Sequence, residues 1–142
     1  MPPAPDLLDF ARRYTAAWCG RDPGAVAEFF SPDGSLRVND DPPAAGREAI
    51  TEVARSFMTA FPDLHVAMDD LIVRGGAAVY HWTLTGANTG PGGTGRRVRI
   101  SGFEEWRIGP DGSIASSQGR FDAGLYRRQL EEGPEPAPPG RR

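Results

Sequence analysis

The sequence predicts an α+β domain in which helices cover one concave face of an antiparallel sheet. Two patterns carry this expectation. Apolar residues recur at helical spacing up to Pro62, and beyond it the period drops to two. Helices therefore come early and strands late, a segregation that suits an α+β fold and not an alternating parallel one. A length of 142 residues suits one domain with one core.

The first segment, DLLDFARRYTAAWCG, sets Leu7, Phe10, Ala11, Tyr14, Ala17 and Trp18 at helical spacing, with Asp6 as N-cap and Gly20 as stop. Asp22 as cap and Pro23 at the first helical position start a short second helix that turns Val26, Phe29 and Phe30 inward. The turn SPDGS leads into a strand, SLRVN. The loop DDPPAAG leads into a third helix with Ile50, Val53, Ala54, Phe57 and Phe61 on one face, ended by Pro62. LHVAMDDLIVR, AAVYHWTLT, RRVRISGFEEWRI and SIASSQGRF then read as four strands joined by Gly-rich turns. A helix, AGLYRRQLEE, closes the order ααβαββββα. Half of the 14 prolines lie at the two ends, so residues 1–5 and 133–142 read as disordered tails around a domain of residues 6–132.

Composition removes several chemistries. All 16 basic residues are arginine, so no lysine is present for a Schiff base, a pyridoxal-phosphate anchor or a phosphate loop. One cysteine, Cys19, and two histidines, His65 and His81, cannot build an internal disulfide or the usual Cys/His zinc site. No metal or cofactor is expected. The pI near 5.4 with dispersed arginines argues against a nucleic-acid partner. No apolar run approaches the ~18 residues of a membrane span, and MPPAPD lacks the features of a signal peptide, so a soluble cytoplasmic protein is expected. The Gly-rich stretch GANTGPGGTG is flanked by strands and reads as a hairpin turn, since a phosphate cradle needs a helix after it.

Carboxylates and one tyrosine remain for proton transfer. In the strand 96–108, alternation puts Val98, Ile100, Gly102, Glu104, Trp106 and Ile108 on one face. Glu104 then sits among apolar neighbours, where burial raises a carboxyl pKa and makes it a candidate proton or hydrogen-bond donor. A slipped register would instead expose Glu104. Asp122 shares parity with Ile114, Ser116, Gln118 and Arg120, and it also suits the N-cap of the last helix. Asp40 and Asp41 end a strand before prolines, as turn residues or as loop-borne functional groups. Tyr14 on the buried face of the first helix needs a polar partner.

These residues resemble a known family. The FPDL after the third helix, the W-x-x-x-G-x-x-x-G hairpin from Trp82, TGR-x-V, DG-x-I, and Asp122 spaced before Leu125 and Gln129-Leu130 are similar to SnoaL-like polyketide cyclases of the nuclear-transport-factor-2-like (NTF2-like) superfamily. The resemblance spans about residues 6–132. It implies a cone-shaped barrel, a curved sheet wrapped around the N-terminal helices with a deep apolar pocket. It also implies Asp122 as the general acid/base of an intramolecular aldol closure. Asn88 stands where the family commonly has His, and Ser116 and Gln118 stand where its strand usually reads E-x-W. The N-terminal half is similar to ketosteroid isomerases through RY-x-AA and the VNDDPP segment before G-x-x-x-I. That likeness implies Tyr14 as an oxyanion donor, Asp40 or Asp41 as base, and Glu104 in the place of a protonated aspartate. Limonene-type epoxide hydrolases are a third likeness, through Asp122 with Arg120.

The expected function is thus cofactor-free acid/base catalysis on a small hydrophobic or polyketide-like substrate, as a cyclase or isomerase, with Asp122, Asp40, Glu104 and Tyr14 catalytic. Trp18, Phe57, Phe61, Trp82 and Trp106 would wall the pocket, and His81, Asn88 and Gln118 complete the expected substrate contacts. Epoxide opening, by water or by a substrate hydroxyl, is the alternative within the same chemistry. A non-catalytic ligand-binding or dimerisation module is the alternative outside it. A homodimer through the outer sheet face, where Phe103 lies among arginines and Glu105, is implied by the resemblance.

Overall fold

The computed structural model describes residues 7–133. The expected cap Asp6 and the expected tails, apart from Gly133, lie outside the described residues. Helices α1 (Leu7–Cys19) and α2 (Pro23–Ala27) come first, then strands β1 (Phe30–Val38) and β2 (Ala44–Ala45), and α3 (Arg47–Ala60). Strands β3 (His65–Arg74), β4 (Ala77–Ala87), β5 (Arg97–Ile108) and β6 (Ile114–Phe121) follow, and α4 (Ala123–Glu132) ends the domain. The predicted elements are all present, with the two-residue β2 added inside the DDPPAAG loop.

Capping follows the sequence where it can be read. Asp22 accepts a hydrogen bond from the Ala25 N–H at 3.1 Å, and Pro23 occupies the first helical turn of α2. Leu7, Phe10, Ala11, Tyr14 and Trp18 form the buried face of α1, which packs on β3. Phe61, after the last turn of α3, is wholly buried, and Pro62 follows it outside the helix.

One curved, unclosed sheet runs in the order β2-β1-β6-β5-β4-β3. Helices cover one face, as expected of an NTF2-like α+β fold. Two features differ from a regular antiparallel sheet. β3, β4, β5 and β6 alternate in direction, which leaves β6 running the same way as β1, and that pair is parallel. The SPDG segment also lies within β1, as an irregularity between Phe30 and Ser35, and does not precede the strand as a separate turn.

Aromatic packing joins the helices to the sheet. Tyr80 and Trp106 stack at 4.9 Å, and Tyr14 meets them edge-on at 5.4 and 5.2 Å. Each such buried ring contributes about 2–3 kcal/mol through area removed from water. This layer is the floor on which the interior polar groups stand. No helix among the described residues is long and apolar enough to cross a membrane.

Candidate functional site

Pairing between β4 and β5 runs without interruption from Ala87 opposite Arg97 to Ala77 opposite Arg107. The period of two therefore holds along the whole strand, and Glu104 faces the interior with Ile100 and Trp106. Its side chain is 8% exposed. Three neutral donors converge on it. Trp106 Nε1 donates to Oε1 at 3.0 Å and Ser117 Oγ to Oε1 at 2.8 Å, while Tyr14 Oη lies 3.1 Å from both oxygens. Burial raises the Glu104 pKa above the usual carboxylate value, and the bonds from Trp106, Ser117 and Tyr14 only partly oppose it. No guanidinium contributes to that balance. The Tyr14 phenol is held well above its ordinary pKa, first by burial and next by the Glu104 charge. The two groups thus form a buried, hydrogen-bonded pair.

Glu104 lies in the wall of an apolar cavity of about 70 Å³. Trp18 from α1 and Val53 and Phe57 from α3 form one side. Tyr80, Trp82 and Leu84 from β4 and Ile100 from β5 form another, and Phe121 and Tyr126 close the end near α4. The Tyr80 hydroxyl is tied to Thr15 Oγ1, and burial pushes its pKa well up. Tyr14 is fully buried behind Glu104 and is not part of the cavity wall. Two glycines keep space open on the inner face. Gly119, opposite Glu104, would place a Cβ 3.7 Å from Glu104 Cγ. Gly102, opposite Trp82, would place one 2.7 Å from the indole Cζ2 and 2.4 Å from the Arg120 carbonyl oxygen.

The other expected catalytic residues sit elsewhere. On β6, Ile114 is opposite Ile108 while Ser116 is opposite Arg107, so Ala115 is an extra residue. This bulge reverses the alternation. Ser117, Gly119 and Phe121 turn toward the interior, and Ser116, Gln118 and Arg120 turn away with Asp122. Asp122 is exposed and caps α4, accepting from the Leu125 N–H at 2.9 Å. Asp40, also exposed, lies 3.4 Å from Arg120 Nη1. Asp40, Arg120 and Asp122 line a separate open cleft of about 460 Å³ with Ser101 and Phe103. Phe121 borders both spaces. Asp41 is exposed in the turn after β1, its carbonyl accepting from Arg37 Nε at 2.9 Å.

Of the expected substrate contacts, Trp18, Phe57 and Trp82 line the cavity with Glu104. His81 packs against Phe103 on the outer face, because inward Tyr80 and Trp82 force the residue between them outward. Phe61 and Trp106 are buried in the core behind the cavity. Asn88 pins the β4–β5 hairpin instead, donating to the Ala60 carbonyl at 3.1 Å and accepting from the Thr94 N–H at 2.8 Å. Gln118 Nε2 donates to the Asn39 carbonyl at 2.9 Å, tying β6 to the end of β1. Gly119, Phe121 and, from α4, Tyr126 also line the cavity, and Ser117 bonds Glu104; the three β6 residues lie on the face that strict alternation turns outward. Among the described residues, no group of three or more His, Cys, Asp or Glu side chains is placed to hold a metal ion.

Residues 11–117 match the SnoaL-like domain family. The chain belongs to that family. No curated protein sequence matches this SnoaL-like chain. Solved structures similar to it include a candidate SnoaL-like polyketide cyclase from Jannaschia sp. CCS1, with 19% identity, a TM-score of 0.79, and coverage of 98% of this chain and 99% of that one. A protein with a ketosteroid isomerase-like fold from Catenulispora acidiphila DSM 44928, in complex with trimethylamine, shares 19% identity over 82% of this chain and 85% of its own, with a TM-score of 0.69. The epoxide hydrolase/cyclase-like enzyme SalBIII, described in pyran ring formation in the polyether salinomycin, shares 18% identity over 82% and 91%, with a TM-score of 0.72. At these identities the structures establish the NTF2-like fold of the SnoaL-like domain.

Proposed function

We propose that this SnoaL-like protein is a ring-forming enzyme acting on a small apolar, polyketide-like substrate, with protonated Glu104 as its general acid. The observation that carries this reading is a single carboxyl of raised pKa in the wall of an aromatic cavity, held by neutral donors alone. Oε1 accepts from Trp106 and Ser117 in either protonation state, so the acidic proton belongs on Oε2. From there it passes to a substrate oxygen as the ring closes. At a carbonyl, a carbon or hydroxyl nucleophile of the same molecule forms the new bond while the C=O π electrons become the hydroxyl. At an epoxide, a substrate hydroxyl forms the ether bond while one C–O bond of the epoxide breaks. The proton lost by the nucleophile returns to Glu104, and the acid is regenerated. Both variants need an acid and an apolar wall, and neither needs a second carboxylate in the cavity. Tyr14 acts as a positioning residue for Glu104, not as a group that touches the substrate.

A second reading, a non-catalytic binding module, is favoured by the location of Asp40 and Asp122 outside this cavity. Activity decides between them. Turnover of an epoxy-alcohol and of a poly-β-ketone model, followed by product analysis, is expected to show ring closure that declines as pH rises through the Glu104 pKa. Glu104→Gln should lower the rate about a hundredfold. Absence of turnover with either substrate class, or an unaltered rate in Glu104→Gln, would overturn the catalytic reading.

A further inference from the structure

We propose that the second half of strand β3 is a docking edge for a second copy of this chain, which adds antiparallel to it about a two-fold axis at Ile72. The surface lies at the rim of the sheet, apart from the Glu104 cavity, and the proposal does not rest on the catalytic reading of that cavity.

The edge is only half covered. β3 ends the sheet, with β4 on one side and no strand of the described residues on the other. At its start the Val66 N–H donates to Cys19 Sγ, and the Cys19 thiol donates to the Val66 carbonyl, so the end of α1 shields that stretch. From there α1 turns inward across the sheet, where Tyr14 reaches Glu104 and Phe10 meets Trp106, both on β5. The second half of β3 is left open. Ile72 and Val73, 40% and 48% exposed, are two of the three large apolar side chains exposed among the described residues. They are neighbours on opposite faces of an edge strand, so a partner strand gains apolar contact on both.

Register shows which backbone groups face outward. Arg74 and Ala77 pair across the two-residue turn Gly75-Gly76, and such a turn closes on a hydrogen-bonded pair. Bonded pairs alternate, so Ile72 and Asp70 also bond to β4, while Leu71 and Val73 turn their N–H and C=O groups to the open edge. Two observations agree. The Leu71 N–H donates to its neighbour's carboxylate, Asp70 Oδ1, at 2.8 Å. The Val66 groups that meet Cys19 have the same outward sense once the extra residue Asp69 is counted. An antiparallel copy that pairs Leu71 with Val73 of the second copy satisfies all four outward groups of each chain.

Side chains select that register. Ile72 then faces Ile72 at the axis, and Asp70 faces Arg74 of the second copy on each side of it. Neither Asp70 nor Arg74 has an ion pair among the described residues. Pairing Leu71 with Leu71, or Val73 with Val73, keeps the backbone bonds but sets Asp70 opposite Ile72 or Gly76 and loses both ion pairs. Charges on an edge strand ordinarily guard it against association, whereas these are complementary to a copy of themselves.

So short an edge buries less than a stable dimer needs, so the association is weak, mostly monomer at about 10 μM and mostly dimer at about 1 mM. Sedimentation velocity across that range reads it. Ile72→Lys, which sets two ammonium groups together at the axis from an exposed position, should remove the concentration dependence. Asp70→Arg and Arg74→Asp each create like-charge pairs and should weaken dimerisation about tenfold. The double variant Asp70→Arg/Arg74→Asp restores opposite charges and should return the dissociation constant to within about threefold of wild type. That recovery belongs to this register alone, and it separates lost pairing from poor folding of a single variant. A wild-type protein that stays monomeric at about 1 mM would overturn the proposal. So would association unmoved by Ile72→Lys, as an interface around Phe103 on the outer face would give, or a double variant as weak as the single ones.

Discussion

Glu104 and Asp40 carry the same chemical group on either side of Phe121, in opposite surroundings. Glu104 meets three neutral donors in a buried site and no cation. Asp40 is exposed and faces the guanidinium of Arg120 at 3.4 Å. Neutral donors soften the cost of burying a carboxyl without abolishing it, so the neutral acid gains ground. The chain has no lysine, and Arg120 lies on the outer side, away from Glu104.

The largest effect that tests this contrast is on catalysis. Glu104→Gln, expected to slow ring closure about a hundredfold, should leave the fold intact, since an amide oxygen can still accept from Trp106 and Ser117. Asp40→Asn should leave the rate within about twofold under the same assay. Equal losses in both variants would erase the distinction between the two sides of Phe121.

The next effect is on stability against pH, and its sign is unusual for a carboxyl. The folded pKa of Glu104 lies above its unfolded value of about 4.3. Between those values the folded state binds more protons than the unfolded state, so stability falls as pH rises through that window. Asp63 and Asp111 behave in the opposite way. Their pKa values are lowered chiefly by the backbone N–H groups of Ala87 and Ser113, so they support the fold above about pH 4 and lose that support only at lower pH. The windows do not overlap. Thermal midpoints measured from pH 4.5 to 8 should decline in the wild-type protein more steeply than in Glu104→Gln. Parallel lines would show that burial leaves Glu104 unperturbed.

How much of this was legible in the sequence depends on where the strands are regular. Glu104 could be placed inside from alternation alone because β5 pairs with β4 through its full length without a bulge. The same reasoning failed on β6. Ala115 adds one residue there, and a shift of one exchanges every later side chain between faces. Ser117 and Gly119 were thereby missed and Gln118 wrongly turned inward, and nothing in SIASSQGRF marks the extra residue. The α4 cap was readable at Asp122 because capping is local. That Asp122 and Asp40 face a different space from Glu104 is a tertiary fact, set by the position of Phe121 between them.

The smaller stability effects concern the outer side. Asp122→Ala removes the α4 cap and should cost about 1 kcal/mol in chemical denaturation without changing the pH window of Glu104. Arg120→Ala should cost less still, below about 0.5 kcal/mol, because the Asp40 pair is loose and solvent screens it. Its value lies in what it leaves untouched. If the inner carboxyl owes its raised pKa to burial alone, loss of Arg120 moves neither the pH dependence of stability nor that of turnover. An upward move of either profile in Arg120→Ala would mean that the arginine's field crosses Phe121 and had been holding the Glu104 pKa down. The outer cleft would then help set the acid, and the two sides would work as one site.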